Sequence, residues 1–306
     1  MLSIISLTKS FGSIKALDGV SFEIPESKIT IFAGADGAGK STLFKILIGL
    51  VRKDKGEILL KGKKVNENSE EIRKIAGYMP EKFSLYEDLS VEENMEFFGS
   101  IYGVEKRRIK KMTEELLEKT GMIEFRKRKA GALSGGMKQK LSLSTILLSS
   151  PELIILDEPT TGVDPLSRIE FFKIIENLRN EGRTILISTP YLDEAEKGDY
   201  IIFIKRGKII KKEELETLRK NFKPKLYRLK PMENIFSLME KIERNKSLKE
   251  NFYIRGSYIH YLYTGGEDIS KLIPYSEKIE IKPRLEDIYM YYERFFEFSE
   301  MRDDVQ

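Results

Sequence analysis

Apolar positions along the chain fall into two registers. Residues 29–33, 153–156 and 184–187 are short continuous apolar runs rich in isoleucine and bounded by turn residues, the pattern of strands buried on both faces of a parallel sheet. After the first of these the chain breaks into glycines at Gly34, and Leu43, Phe44, Leu47 and Ile48 then recur at three- and four-residue spacing before a stop at Gly49. That sequence of strand, glycine loop and helix is the opening unit of a nucleotide-binding α/β fold. The first 65 residues otherwise alternate short strand-like runs with turns. Residues 91–102, 105–120 and 166–180 carry the helical period, the last completing a strand–helix–strand step. Residues 201–204 and 208–211, split by Arg206 and Gly207, predict a hairpin.

Beyond about residue 220 the character changes. Of the 31 Phe and Tyr residues, 15 fall between Phe222 and Phe298, so this part has the aromatic material for a core of its own. Strands are predicted at 225–229, 251–255, 258–263 and 278–282, with Gly256-Ser257 as a two-residue turn, and helices at 232–244 and 285–298. The expected organisation is an α/β domain over 1–220 with a helical insertion at about 88–150, a linker at 221–224, and a small α+β domain over 225–306.

Composition narrows the chemistry. The chain has 306 residues, 33% charged, yet its net charge is only +4, which argues against a strongly basic nucleic-acid binder. It has no cysteine, which excludes disulfides, Cys-based zinc sites and a thiol nucleophile, and its one histidine, His260, leaves little room for His-metal clusters or Ser-His-Asp chemistry. No run approaches the 18 or so apolar residues of a membrane span, and the first residues are too mixed for a secretory signal, so a cytoplasmic location is expected. The basic runs at 106–111 and 126–129 read as solvated faces, the aromatic C-terminal helix as packing rather than base stacking, and His260 as a structural residue.

The segment Gly34-Ala35-Asp36-Gly37-Ala38-Gly39-Lys40-Ser41-Thr42 has the spacing of a phosphate loop. Its glycines let successive N–H groups turn inward, and the following helix offers its positive end to the same anion. Lys40 is placed to reach the β- and γ-phosphates of ATP and Ser41 to ligate Mg2+. The strand 153–156 ends in Asp157-Glu158, where Asp157 can hold magnesium through water and Glu158 can orient an attacking water. A second anion-seeking helix start lies at Ser134-Gly135-Gly136, with no nucleotide of its own to hold. Its simplest use is to clasp the nucleotide of another subunit.

Taken together, these motifs resemble the ATP-binding subunit of an ATP-binding cassette transporter, over residues 1 to about 215. The phosphate loop, Leu133-Ser134-Gly135-Gly136-Met137, Leu156-Asp157-Glu158-Pro159 and Gly162-Val163-Asp164-Pro165 stand in the family's order and spacing. The resemblance implies a P-loop NTPase sandwich with a helical signature subdomain. It implies two cassettes closing over two ATP molecules, and a membrane-spanning permease subunit, which would place the chain peripherally at the inner face of the membrane. It implies Phe11 as the adenine stacker, the alternative being core packing. It also implies Asp164 at the interface between cassettes and residues 83–94 as the seat of the permease's coupling helix. Pro283 to Tyr289 is similar to the ending of bacterial drug- and antibiotic-exporter ATPases.

Two positions depart from the family. Glu81 stands where a Gln touches magnesium and water, and Pro190 where a His bonds the γ-phosphate; Asp36 replaces the usual Asn. Proline has neither a side-chain donor nor an N–H. Glu81 retains an oxygen for magnesium, but each unpaired carboxylate close to a polyphosphate costs about 1–4 kcal/mol. The expectation is an ATPase with a degenerate, slow site of its own, in a heterodimer with a second cassette more than in a homodimer. The alternative is a catalytically weak, nucleotide-sensing module that gates a partner by ATP-driven dimerisation.

Overall fold

A computed structural model describes the chain except residues 67, 83, 233, 236, 237, 239, 241–251, 264–273 and 304–306. The chain divides into two compact units, Met1–Leu215 and Glu216–Gln306.

The first unit has two sheets and a helical lobe. Strands β1 (Leu2–Phe11), β2 (Ile14–Ile24), β4 (Lys55–Leu60) and β5 (Lys63–Lys64) form an antiparallel sheet in the order β2-β1-β4-β5. The second sheet runs β10-β9-β3-β8-β7-β6, built from β3 (Ile29–Ala33), β6 (Ala76–Met79), β7 (Leu153–Asp157), β8 (Thr184–Thr189), β9 (Tyr200–Lys205) and β10 (Lys208–Glu214). It is parallel except for the β9–β10 hairpin. Every residue of β3, β7 and β8 is buried, as their unbroken apolar runs require. Between the sheets Phe22, Phe32 and Phe44 meet edge to face at 5.3 Å, Phe44 coming from helix α1 (Lys40–Leu47). Leu2, Ile4, Leu7 and Leu17 from the antiparallel sheet complete that core.

A short helix, α2 (Glu70–Arg73), precedes β6. The helical lobe then comprises α3 (Val91–Ile101), α4 (Lys106–Lys119) and α5 (Gly135–Leu147), packed around Val91, Met95, Leu117, Met122 and Leu141. Ser90 starts α3 with a full capping box, its hydroxyl accepting from Glu93 N while Glu93 accepts from Ser90 N. Helix α6 (Pro165–Asn180) crosses from β7 to β8, and α7 (Leu192–Ala195) follows β8.

The second unit contains α8 (Leu215–Asn221, starting at the boundary), β11 (Lys225–Pro231), β12 (Phe252–Arg255), β13 (Tyr258–Tyr263), β14 (Tyr275–Ile281) and α9 (Leu285–Asp303). Its antiparallel sheet has the order β12-β13-β11-β14, with Leu229, Leu238, Phe252, Ile259 and Tyr261 buried together. The helix expected at 232–244 falls largely outside the described residues. No helix among the described residues is long and apolar enough to cross a membrane.

Candidate functional site

The loop from Gly34 to Gly39 leaves the end of β3 and delivers Lys40 as the first residue of α1. Two approaches fix its path. A Cβ on Gly34 would stand 2.1 Å from the Ile204 carbonyl oxygen, and one on Gly39, at φ +107°, would stand 2.3 Å from that of Ala16. Ala35, Asp36 and Gly37 form the exposed tip, while Ala38 is buried. Inside the loop the Lys40 ammonium, with only 3% of the residue exposed, donates to Gly34 O (2.8 Å) and Ala35 O (3.0 Å). It also pairs with Glu158 Oε1 at 3.3 Å.

Beside it lies a cluster of hard oxygens. Ser41 Oγ donates to Asp157 Oδ1 at 2.9 Å, Ser188 Oγ donates to the same oxygen at 2.6 Å, and Tyr78 donates to Oδ2 at 3.3 Å. Burial, then the Asp157 charge, pushes the Tyr78 phenol far up its range, so it remains a donor. Glu158 turns sharply out of β7 with φ 49°, and its N–H donates to Ser188 Oγ at 2.9 Å. A non-glycine residue in the left-handed region carries strain, which here re-aims the carboxylate from the sheet toward Lys40. Ser188 and Tyr78 were missed from sequence. They lie 31 and 79 residues from Asp157 and carry no motif.

The donor set tests the fit to magnesium. A hydroxyl and a carboxylate oxygen are the hard ligands Mg2+ takes alongside phosphate oxygens and water. Among the described residues no three acidic or histidine side chains gather into an all-protein metal cage. Glu81 is exposed, and its negative charge adds to the rise at Tyr78, so it lies within electrostatic reach of the cluster. Thr42, Ser41, Lys40 and Glu158 line a cavity of about 330 Å3 together with Ile14, Lys15, Ala16 and Arg206, the last four not anticipated from sequence as site residues.

Phe11 ends β1 with half of its surface exposed and Lys9 Nζ 5.2 Å above its ring, which sets aside the core-packing alternative. Ser134 caps α5 by accepting from Met137 N at 3.3 Å, with Gly135 exposed beside it. Gly136 is buried, where a Cβ would meet Ser167 Cβ at 2.5 Å. Asp164 caps α6 by accepting from Ser167 N at 3.0 Å, and that bond holds its carboxyl below the usual range.

Around Pro190 the structure is tightly pinned. The buried Glu194 accepts from Thr160 Oγ1 (2.5 Å) and Thr189 Oγ1 (2.6 Å) and pairs with Arg168 at 3.3 Å. Tyr191 N donates to Thr189 Oγ1 at 3.0 Å, and the Arg168 guanidinium stacks 4.8 Å from the Tyr191 ring. Desolvation raises the Glu194 pKa despite the bonds that lower it. Thr189 and Tyr191 thus fix the backbone on both sides of a residue that offers no hydrogen-bond donor.

Comparison with known proteins converges on one family. The family profile described as ABC transporter matches residues 17–161. The Escherichia coli protein YbhF, a probable multidrug ABC transporter ATP-binding protein, is 40% identical over 204 residues, covering 67% of this chain and 35% of YbhF. The chain therefore spans about a third of YbhF's length. SrtF of Streptococcus pyogenes, a lantibiotic transport ATP-binding protein, is 42% identical over 217 residues, covering 71% of this chain and 92% of SrtF. Among solved structures, cbiO1 of Clostridium perfringens, part of the ABC transporter complex cbiONQ, superposes with a TM-score of 0.66 at 26% identity, covering 72% of this chain and 90% of cbiO1. The P-loop architecture, the loop–helix–strand cluster at Lys40 and the near-complete coverage of SrtF agree: the chain belongs to the family of ABC transporter ATP-binding proteins.

Proposed function

We propose that this chain binds ATP in the cavity at Lys40 and hydrolyses it slowly, as the energy-coupling subunit of an exporter of drugs or antibiotic peptides. The observation that carries the reading is the joined set of Lys40, Ser41 and Glu158, which line the cavity, with Asp157 behind them bonded to Ser41. Lys40 and Glu158 pair with each other across the site. A triphosphate takes the Lys40 ammonium for its β- and γ-oxygens. Glu158 is then released to orient a water and accept its proton. Ser41 and Asp157, with Glu81 at the margin, would hold Mg2+, which would supply neutralisation of phosphate charge.

The brake lies at the γ-phosphate. Pro190 donates nothing, and Glu81 brings negative charge toward an anion. Losing one group that contacts the transferring phosphoryl costs about 10² or more in rate. This supports pairing with a second, competent cassette, to which Ser134 and Gly135 lend an anion site while the chain's own nucleotide is held. Pro190 and Glu81 also favour the second reading, a nucleotide-sensing module that closes on ATP with little turnover.

The names of SrtF and YbhF support the cargo class, and the likeness of Pro283 to Tyr289 to the ending of exporter ATPases supports the export direction. An exposed aromatic surface supports a permease seat peripheral to the inner membrane face: Tyr86 and Phe97 meet edge to face at 4.8 Å, with Ile101 and Tyr102 exposed beside them. Phe83, expected at the start of this surface, lies outside the described residues. The test is equilibrium binding of ATP with Mg2+ to wild type and Lys40→Ala, with sizing of Glu158→Gln in ATP. Loss of binding in Lys40→Ala, and ATP-dependent association of Glu158→Gln with itself or its partner cassette, are expected. Unchanged ATP affinity in Lys40→Ala refutes the site.

A further inference from the structure

The hairpin between β9 and β10 turns through two residues, Arg206 and Gly207, at φ 48° and 75°. Two consecutive left-handed residues define the tight hairpin turn in which Asn, Asp or Gly is favoured at the first position. A long cationic side chain there is locally unfavourable, and such strain persists where surrounding contacts hold it. Here they do. Gly207 N donates to Ala38 O inside the phosphate loop at 2.9 Å, and Gly207 O accepts from Asp18 N at 2.9 Å. A Cβ on Gly207 would stand 2.7 Å from Ala16 O, the same carbonyl that Gly39 approaches. Phosphate loop, start of β2 and hairpin tip therefore meet at one backbone oxygen, and Arg206 stands on the cavity wall beside Lys15 and Ala16.

The position along the cavity says which part of a nucleotide Arg206 serves. Lys40, Ser41 and Glu158 occupy the β- and γ-phosphate end. Ile14, which also lines the cavity, pairs across the β1–β2 turn with Phe11, the proposed adenine contact. Arg206 precedes Gly207, which bonds Ala38 of the phosphate loop on one side and packs on Ala16, two residues from Ile14, on the other. A guanidinium is suited to phosphate oxygens through its planar fork of donors.

We propose that Arg206 is a nucleotide-binding residue that holds the α-phosphate end of ATP and ADP alike. This rests on the reading that the cavity takes ATP. It gives the site a grip independent of the γ-phosphate, where Glu81 and Pro190 leave it poor.

The test is titration of the full-length chain with ATP and, separately, ADP, each with Mg2+, for wild type, Arg206→Asn and Arg206→Lys. Asn suits the left-handed turn, so the hairpin is kept, and thermal unfolding of the variant checks that. Arg206→Asn should weaken both nucleotides by the same factor, roughly tenfold or more, the ordinary cost of one charge-assisted hydrogen bond. Arg206→Lys should restore much of it. Unchanged affinities in Arg206→Asn overturn the proposal, as does a loss confined to ATP, which would put the side chain at the γ-phosphate. Wild type that binds neither nucleotide overturns the reading of the cavity itself, an outcome separable from the failure of Arg206 alone.

Discussion

Glu194→Ala removes the pin beneath Pro190, and its cost follows from what the carboxylate holds. Two buried hydroxyls lose their acceptor, and the Arg168 guanidinium loses the nearer of its two acidic partners. Breaking a buried charge pair by deleting one partner costs about 3–5 kcal/mol. The desolvation that raises the Glu194 pKa shows that its charge is itself expensive, which puts the net loss at the low end, about 3 kcal/mol. A unit of this size shifts its melting midpoint by about 2–4 °C per kcal/mol, so calorimetry should find the first unit melting about 6–12 °C earlier. Glu194→Gln retains an acceptor and sheds the charge, and should cost about 1 kcal/mol or less.

The pH dependence carries a sign. The folded pKa lies above the ordinary glutamate value of 4.5, so the folded state keeps the proton longer than the unfolded state. Stability from this group therefore falls as pH rises from 4.5 through the raised folded value, and Glu194→Gln abolishes that slope. Equal destabilisation by Ala and Gln, or a shift under about 2 °C for Ala, which by size scaling is under 1 kcal/mol, would refute the reasoning.

Other consequences can be measured alongside. Gly39→Ala forces a Cβ to 2.3 Å from Ala16 O at a positive φ, so ATP binding should be lost and the first unit destabilised, read by titration and calorimetry. Ser188→Ala strips one donor from Asp157 and the side-chain acceptor from Glu158 N, leaving the Ser188 carbonyl at 3.2 Å to accept alone; about 1–2 kcal/mol of stability and part of the Mg2+ dependence of ATP binding should go. In the second unit His260, buried and in contact with the Tyr253 hydroxyl at 3.2 Å, has its pKa lowered by burial. Asp287 opposes that lowering, and Arg255, Arg228 and Arg284 add to it. The unfolded state takes the proton first, so stability is full above pH 6.5 and lost as pH falls below it; His260→Gln should flatten that acid limb in denaturant titrations.

The site was legible where its chemistry is local in sequence. A phosphate loop and a strand ending in Asp157-Glu158 each fit within ten residues, and the parallel strands showed as unbroken apolar runs. What was hidden depends on the fold. Ser188, Tyr78 and Arg206 reach the site only through the strand order of the second sheet or the hairpin at its edge. Glu194 reads as one acid among many until β8 and α6 bring Thr189, Thr160 and Arg168 to it. The long strands β1 and β2 escaped because register shifts between Ile4 and Leu7 and between Leu7 and Lys9 break the two-residue alternation. In the second unit the aromatic density announced a separate core, and the four strands fell near their expected places.

The central claim, that an assembled cassette site is held slow at the γ-phosphate, meets its most direct test in steady-state ATP hydrolysis. Wild type, Glu158→Gln and Pro190→His should be assayed side by side, with Mg2+ and saturating ATP. The account predicts wild type close to Glu158→Gln, and a gain of about tenfold or more in Pro190→His, part of the roughly 10² that a positioned phosphoryl contact is worth. Wild-type turnover at the ordinary enzymatic scale of about 1–10 per second, unchanged by the histidine, would contradict it.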